Sequence, residues 1–499
     1  MTGVRRLLAA SALPLALAAS RLEAQGYSLR LDSRIQHAAF RGVVEDSVPA
    51  SEVVTGPSGG LVTPDGIAVS CDPGGTCRFF RPGPALTAAP FSQSASLTAW
   101  GFGMRGLSAH AEGRLLTDLS AANAWPGSEP PLQLLEGYLE HASLPLTIRL
   151  GRQMLVSRLG ATGFDGLRAQ LRVGTTGVDL DVYGGWGLAR ATALPVTSPA
   201  LNPLDEYRPS QRARVYSMAV GYAAPIGSVR AEYQRQLDGR SHYLVSDQAA
   251  ISADARVSRR LSLTGGAAYD IAGGHWGSAD MQARYVGNAV TLAVATRRYR
   301  PHFDLWTIWG AFSPVPFTAV SGAVWVRPHA RLELRARGER YWFSPADAST
   351  PLVQAEDAGW RASAGASLDI ARRWRIELDA QKEFGPGAAS RGVDAGVTFS
   401  PRPGLELAAR GGALQRPLEF RYDDATVSNV GMDADWRLSD RVHAGAGVTR
   451  YWETRNRPDA AAFDWAQTRV NARLTLLFGG AGALPLPPGR RPAPTGAAP

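Results

Sequence analysis

The sequence predicts an all-β chain: a transmembrane antiparallel up-and-down β-barrel of about 18–22 strands. Three observations carry this expectation. Apolar and charged residues alternate with period two along run after run. Short turns alternate with long connections. After the N-terminus no apolar run approaches the roughly 20 residues that a membrane-spanning helix needs.

The alternation is clearest in Arg331–Phe384. Arg331, Glu333, Arg335, Arg337 and Glu339 alternate with Leu332, Leu334, Ala336 and Gly338. Trp360, Ala362, Ala364, Ala366 and Leu368 alternate with Arg361, Ser363, Gly365 and Ser367. Trp374, Ile376, Leu378 and Ala380 alternate with Arg375, Glu377, Asp379 and Gln381. Successive side chains on a strand point to opposite faces, so each strand has one apolar and one charged face. A soluble sandwich core would be rich in Leu, Ile, Val and Phe. Here the apolar face is thin, with Ala and Gly in the middle and aromatics at the ends. Trp342, Trp360, Trp374, Trp436 and Trp452 fall on that face at strand ends, as interface anchors do. The runs match the roughly 9–11 residues of a spanning strand.

In chain order, Met1–Ala24 reads as a secretory signal peptide. Arg5 and Arg6 precede the apolar Leu7–Ala19, and Leu22-Glu23-Ala24 offers a cleavage site. Residues 25–478 form the expected outer-membrane barrel. Tyr27–Phe40 is its first strand. Residues 41–92, rich in Gly, Pro and Ser, read as a long extracellular loop, either exposed or folded inward as a constriction. Cys71 and Cys77 lie within it and are the chain's two cysteines. Export makes a Cys71–Cys77 disulfide the expected state, and two sulfurs without a nearby His make a poor zinc site.

Hairpin turns follow at Met104-Arg105-Gly106, Leu144-Pro145, Gly174–Gly177, Pro225-Ile226-Gly227, Ser258-Arg259-Arg260 and Gly287-Asn288. Others follow at Arg327-Pro328-His329, Ala371-Arg372-Arg373, Ser400–Gly404 and Ser439-Asp440-Arg441. These carry the residues that tight turns require. Longer connections, such as 187–211, 300–316, 343–357 and 453–463, separate the pairs. This asymmetry matches periplasmic turns against extracellular loops. Ala466–Phe478 is the last strand, with Val470, Leu474 and Phe478 outward and Arg469, Arg473 and Thr475 inward. A Pro/Gly/Ala-rich tail, 479–499, reads as disordered.

The net charge is +9, and Lys382 is the single lysine. Arginines spread along strands among acids do not form a nucleic-acid patch, and no nucleic-acid partner is expected. None of the eight histidines has His-Glu-x-x-His spacing, and no Gly-x-Ser-x-Gly elbow or phosphate loop occurs. An enzyme, a cofactor and a metal are therefore not expected.

Ile148-Arg149-Leu150-Gly151-Arg152-Gln153, followed by Gly163-Phe164-Asp165-Gly166-Leu167-Arg168, resembles the alginate-export family of outer-membrane porins. The resemblance implies a barrel that passes a hydrophilic solute, anionic or sugar-like. From the alternation, Arg149, Gln153, Arg168, Gln170 and Arg172 face inward, with Asp179 and Asp181 on the next hairpin. Arg335, Arg337, Arg361 and Arg375 join them as expected pore-lining residues. Such arginines either ease an anion's passage or pair with acids to hold the barrel's shape. The expected function is an outer-membrane channel for hydrophilic solutes in a diderm bacterium, by diffusion or export. The alternative is a non-conducting surface barrel whose loops bind a partner or matrix. The expected partners are outer-membrane lipids, a small or polysaccharide solute and the barrel-assembly machinery.

Overall fold

The structure, a computed structural model, describes residues 26–56, 59–120, 131–188, 213–300, 316–344, 358–371, 373–385, 388–418, 423–455 and 466–479. The expected signal peptide and the tail beyond Gly479 lie outside the described residues, as does most of 187–211.

Strands run antiparallel in sequence order from Gly26–Pro49 to Ala466–Gly479. The ring closes where these two pair, with Ser28 opposite Gly479 and Ala38 opposite Arg469. The hydrogen-bonded sheet holds 24 strands. Ser70–Cys71 and Thr76–Ala88 belong to a projecting arm, which leaves 22 in the closed wall. Closure satisfies every edge, which a wall in hydrocarbon requires. The ten expected turns all fall at one end of the barrel, together with Gly26 and Gly479.

The two faces separate as the alternation predicts. Leu334, Trp342, Leu368, Trp374, Ile376 and Leu378 are exposed on the outer face, as are Trp436, Trp452, Val470 and Phe478. Facing lipid, this apolar surface is in its preferred medium. Among the described residues no helix is long and apolar enough to cross a membrane. The spanning elements are strands.

Residues 41–92 correct the expectation of a loop. The first strand does not stop at Phe40 but runs to Pro49, and Thr76–Ala88 pairs with it from Ala38 to Pro49. Ala89 then breaks the strand, and Pro90–Trp100 continues into the wall beside Leu107–Asp118. The result is a two-stranded arm that extends roughly 35 Å of chain past its neighbours at the long-loop end. Arg81 pairs with Asp46 at 2.6 Å across it, and Arg78 with Asp72 at 3.3 Å. At the tip Cys71 stands opposite Cys77, and the two are joined by a disulfide. Gly and Pro content led to the loop reading; cross-strand charge pairs hold the segment extended instead.

Candidate functional site: a lumen narrowed by an inward-folded hairpin

Leu146–Ser157 and Gly160–Val173 form a hairpin whose lower half is part of the wall. Gly137–Ala142 pairs with it on one side, and Val178–Gly187 on the other. Above Arg152 and Phe164 those ladders end, while the hairpin stays paired to itself up to Ser157 opposite Gly160. This upper half folds into the barrel. Ser157 Oγ donates to the Glu232 carboxylate, and Arg158 pairs with Asp280. Arg158 Nη2 also donates to the Gly266 carbonyl at 2.8 Å. Gln234 Nε2 donates to Thr162 Oγ1 at 3.0 Å and to the Tyr183 hydroxyl at 2.8 Å.

The sequence makes this bend at a row of glycines. Gly151, Gly166 and Gly185 lie opposite one another on three neighbouring strands. A Cβ on Gly166 would sit 2.1 Å from the Gly184 carbonyl oxygen. Gly151 has φ +132°, and its Cβ would meet the Gly137 carbonyl oxygen at 2.2 Å. Only glycine lets the backbones approach this closely at a crease. Just above it, Arg152 grips Asp165 through two parallel bonds of 2.7 and 3.0 Å. Arg152 Nη1 also donates to the Leu134 carbonyl at 2.9 Å. On the opposite face of the hairpin Gln153 and Phe164 are register partners, 1% and 0% exposed. Phe164 stacks on Tyr183 with centroids 4.9 Å apart.

Beneath the hairpin the inner wall is dry. Val215, Ser217, Ala219, Ser246 and Ala250 are buried, while Tyr216, Met218 and Val220 on the outer face are exposed. This is what a hairpin laid against the inside of the wall produces.

The expected pore-lining residues divide into two groups. Gln153 and Asp181 point inward but are covered, Asp181 being 2% exposed, so they are not part of the open surface. This corrects their expected position: the hairpin and two guanidinium groups cover them. Arg168 forks onto Asp181 at 2.9 and 2.7 Å, Arg230 adds a bond of 2.9 Å, and Gln170 one of 3.3 Å. Arg230 also reaches Asp179 at 3.3 Å. Arg149 pairs with Glu140 at 2.5 Å and lies over the Tyr138 ring. These pairs give the first arginine cluster the geometry of a shape-holding network. Arg172 is exposed, below the network.

The second group lies on the barrel's far side. Glu339, 5% exposed, collects Arg297 at 2.8 Å, Arg361 at 2.9 Å and Arg337 at 3.4 Å. Three guanidinium groups share this one carboxylate, a local surplus of arginine, with Glu383 opposite Arg361 on the next strand. Arg335 forks onto Asp379, and Arg375 pairs with Asp369 at 3.0 Å. A third region, at the short-turn end, is a cleft of about 790 Å³. Arg30, Arg34, Glu406, Asp435, His443 and Arg473 help line it.

Sequence reasoning missed three further inward residues. His110, Glu112 and Glu136 bring one nitrogen and two carboxylates within 4.8 Å of one another. His110 and Glu112 are two apart on one strand, a spacing that places both on one face. Glu136 comes from the next strand, opposite Glu112. The available signal was an alternating His-x-Glu, which is weak without the strand register.

No family model and no curated protein matches this chain. Among solved structures, a mutant ferric enterobactin receptor (PfeA) from Pseudomonas aeruginosa, in complex with enterobactin, aligns with it. That alignment covers 90% of this chain and 81% of the receptor at TM-score 0.51 and 11% identity. OccAB2 from Acinetobacter baumannii covers 92% of this chain and 99% of its own at TM-score 0.40 and 10% identity. P. aeruginosa OpdK with vanillate covers 90% and 99% at TM-score 0.34 and 11% identity. At these identities the likeness is one of fold. The chain has the fold of the large closed β-barrels found in outer membranes.

Proposed function

We propose that the barrel is a channel for hydrophilic solutes, with the inward-folded upper half of the hairpin, Gln153–Gly163, as its constriction and a mild preference for anions. The observation that carries this reading is the uneven burial of the inner wall. The hairpin dries one side, over Val215–Ala250, while Arg337, Arg361 and Arg375 on the opposite side keep roughly half their surface open, at 59%, 42% and 52%. A ring of 22 strands is too wide for side chains alone to close. What narrows it is a folded-in piece of the wall, and that leaves a charged passage beside it. The excess of arginine around Glu339 favours anions, because guanidinium groups present paired donors to carboxylates. An anionic saccharide fits this chemistry, as the likeness of Ile148–Gln153 and Gly163–Arg168 to alginate-export porins implies.

Conductance of the refolded barrel in a planar bilayer, under a salt gradient, tests this reading. Steady openings with a reversal potential on the anion side are expected. A folded barrel that never opens removes the channel and favours the second reading, a surface barrel that binds a partner. The disulfide-tipped arm supports that alternative, since it projects well past the rim.

A further inference from the structure

The geometry points to a divalent transition-metal site in the lumen wall, made by His110, Glu112 and Glu136. His110 and Glu112 lie on Leu107–Asp118, and Glu136 on Leu132–Ala142. Glu112 and Glu136 are direct cross-strand partners, and two like charges so placed repel each other. Next to Glu112 along the same row stands Ser96, and beyond it Arg30. Arg30 is already forked onto Asp32 at 2.6 and 3.1 Å. His110 Nε2 lies 3.4 Å from Glu136, which would account for one carboxylate if the ring were charged. It leaves Glu112 without an ion pair within 4 Å among the described residues. A bound dication answers both carboxylates at once.

Two supporting contacts match what metal ligands require. His110 Nδ1 lies 2.9 Å from Thr98 Oγ1. The tautomer that donates Nδ1–H to Thr98 leaves Nε2 bare and directed at the carboxylates, the usual outer-shell arrangement of a metal-binding histidine. Glu136 Oε1 accepts from the Met154 backbone N–H at 3.1 Å, which fixes that carboxylate and frees its second oxygen. The three ligand atoms lie within 4.8 Å of one another, so small side-chain rotations bring them to the roughly 2.0–2.2 Å bonds of zinc. One imidazole with two carboxylates suits zinc, iron, cobalt or nickel better than calcium, which prefers oxygen alone. Three protein ligands leave further positions open to water on the lumen side.

The test is titration of the refolded full barrel with Zn²⁺ alone, read by calorimetry, with Ca²⁺ as comparison. One zinc site per chain is expected, bound at least tenfold more weakly in His110→Ala and in Glu112→Gln. His275→Ala, altered beside Asp270 in a separate place, should leave the zinc isotherm unchanged. Zinc binding that survives both His110→Ala and Glu112→Gln undiminished overturns the site, as does no binding to the wild type. If either variant fails to fold, crystals of the wild-type barrel soaked in zinc decide the matter by anomalous scattering. A peak bonded to His110 Nε2 sustains the site, and its absence there overturns it. None of these readouts depends on conduction, so the channel reading and the metal site fail or stand separately.

Discussion

Gly151 and Gly166 stand opposite each other across one hairpin, each with a neighbouring carbonyl oxygen where its Cβ would be. This pair sets where the wall turns into the lumen. In Gly166→Val the side chain cannot fit 2.1 Å from the Gly184 oxygen, so the strands must separate at the crease. The expected outcome is a barrel that still closes through its other strands but conducts more, with noisier current, because the hairpin no longer seats. Conductance and current noise unchanged from wild type would show that the crease does not hold the constriction.

The Arg152–Asp165 clasp keeps the hairpin narrow above that crease. Its two bonds are charge-assisted and partly shielded, so Asp165→Asn should cost about 1–3 kcal/mol. Urea unfolding in detergent, followed by the gel mobility of folded barrel, measures this. Arg152→Asp combined with Asp165→Arg should recover part of the loss. If Asp165→Asn is as stable as wild type, the pair is incidental.

Much of the wall was legible in the sequence, because a strand with one lipid face and one wet face writes period two into its residues. Trp342, Leu378 and Val470 were placed outward, and Arg335 and Arg473 inward, on that ground alone. The crease was not legible in the same way. Gly151 and Gly166 matter only through their close approach to the Gly137 and Gly184 carbonyls on other strands, which register sets, and a single sequence does not state register. For the same reason Arg152 and Asp165, partners in space and thirteen residues apart in the chain, were part of a recognised pattern without a physical role. The arm was misread because its extended state rests on pairs such as Arg81–Asp46, between residues far apart along the chain.

Charge selectivity should respond more to the Glu339 cluster than to Arg149 and Arg168. Those two are held by Glu140 and Asp181, and Arg230 still covers Asp181 when Arg168 is lost. Arg337→Gln with Arg361→Gln removes two of three guanidinium groups on one carboxylate and should move the reversal potential toward cations. Glu339→Gln should move it further toward anions. A larger shift from Arg149→Ala with Arg168→Ala than from the Arg337/Arg361 pair would reassign the selective wall.

At the long-loop end, Asp238 caps its own turn. It accepts from the Arg240 N–H at 3.0 Å, the Ser241 N–H at 2.7 Å and the Ser241 hydroxyl at 2.6 Å. The hydroxyl bond is the leading reason that its carboxyl is held below the usual value. The ordering it gives is therefore complete above the ordinary carboxylate range and lost as pH falls through the lowered value. Protection of the Arg240 and Ser241 amides, taken relative to the intrinsic exchange rate, should be high at neutral pH and fall as the pH drops through that lowered value. In Asp238→Asn the protection should be weaker and its pH dependence gone.

The wall itself makes the last prediction, on adjacent residues of one strand. Met432 is 65% exposed on the outer face, near the middle of Asp423–Ser439. Asp433 points into the lumen, toward Gly447 and Asn471. An arginine at 432 must sit in hydrocarbon, at a cost of about 2–4 kcal/mol near the bilayer midplane. At 433 the same residue would meet water and the carboxylates of the lumen. Refolding into bilayers under a urea gradient should therefore separate Met432→Arg from Asp433→Arg, with the first clearly less stable and the second near wild type. Equal losses at both positions would mean that the two faces do not see different solvents, and the membrane-spanning assignment of this strand would fall with them.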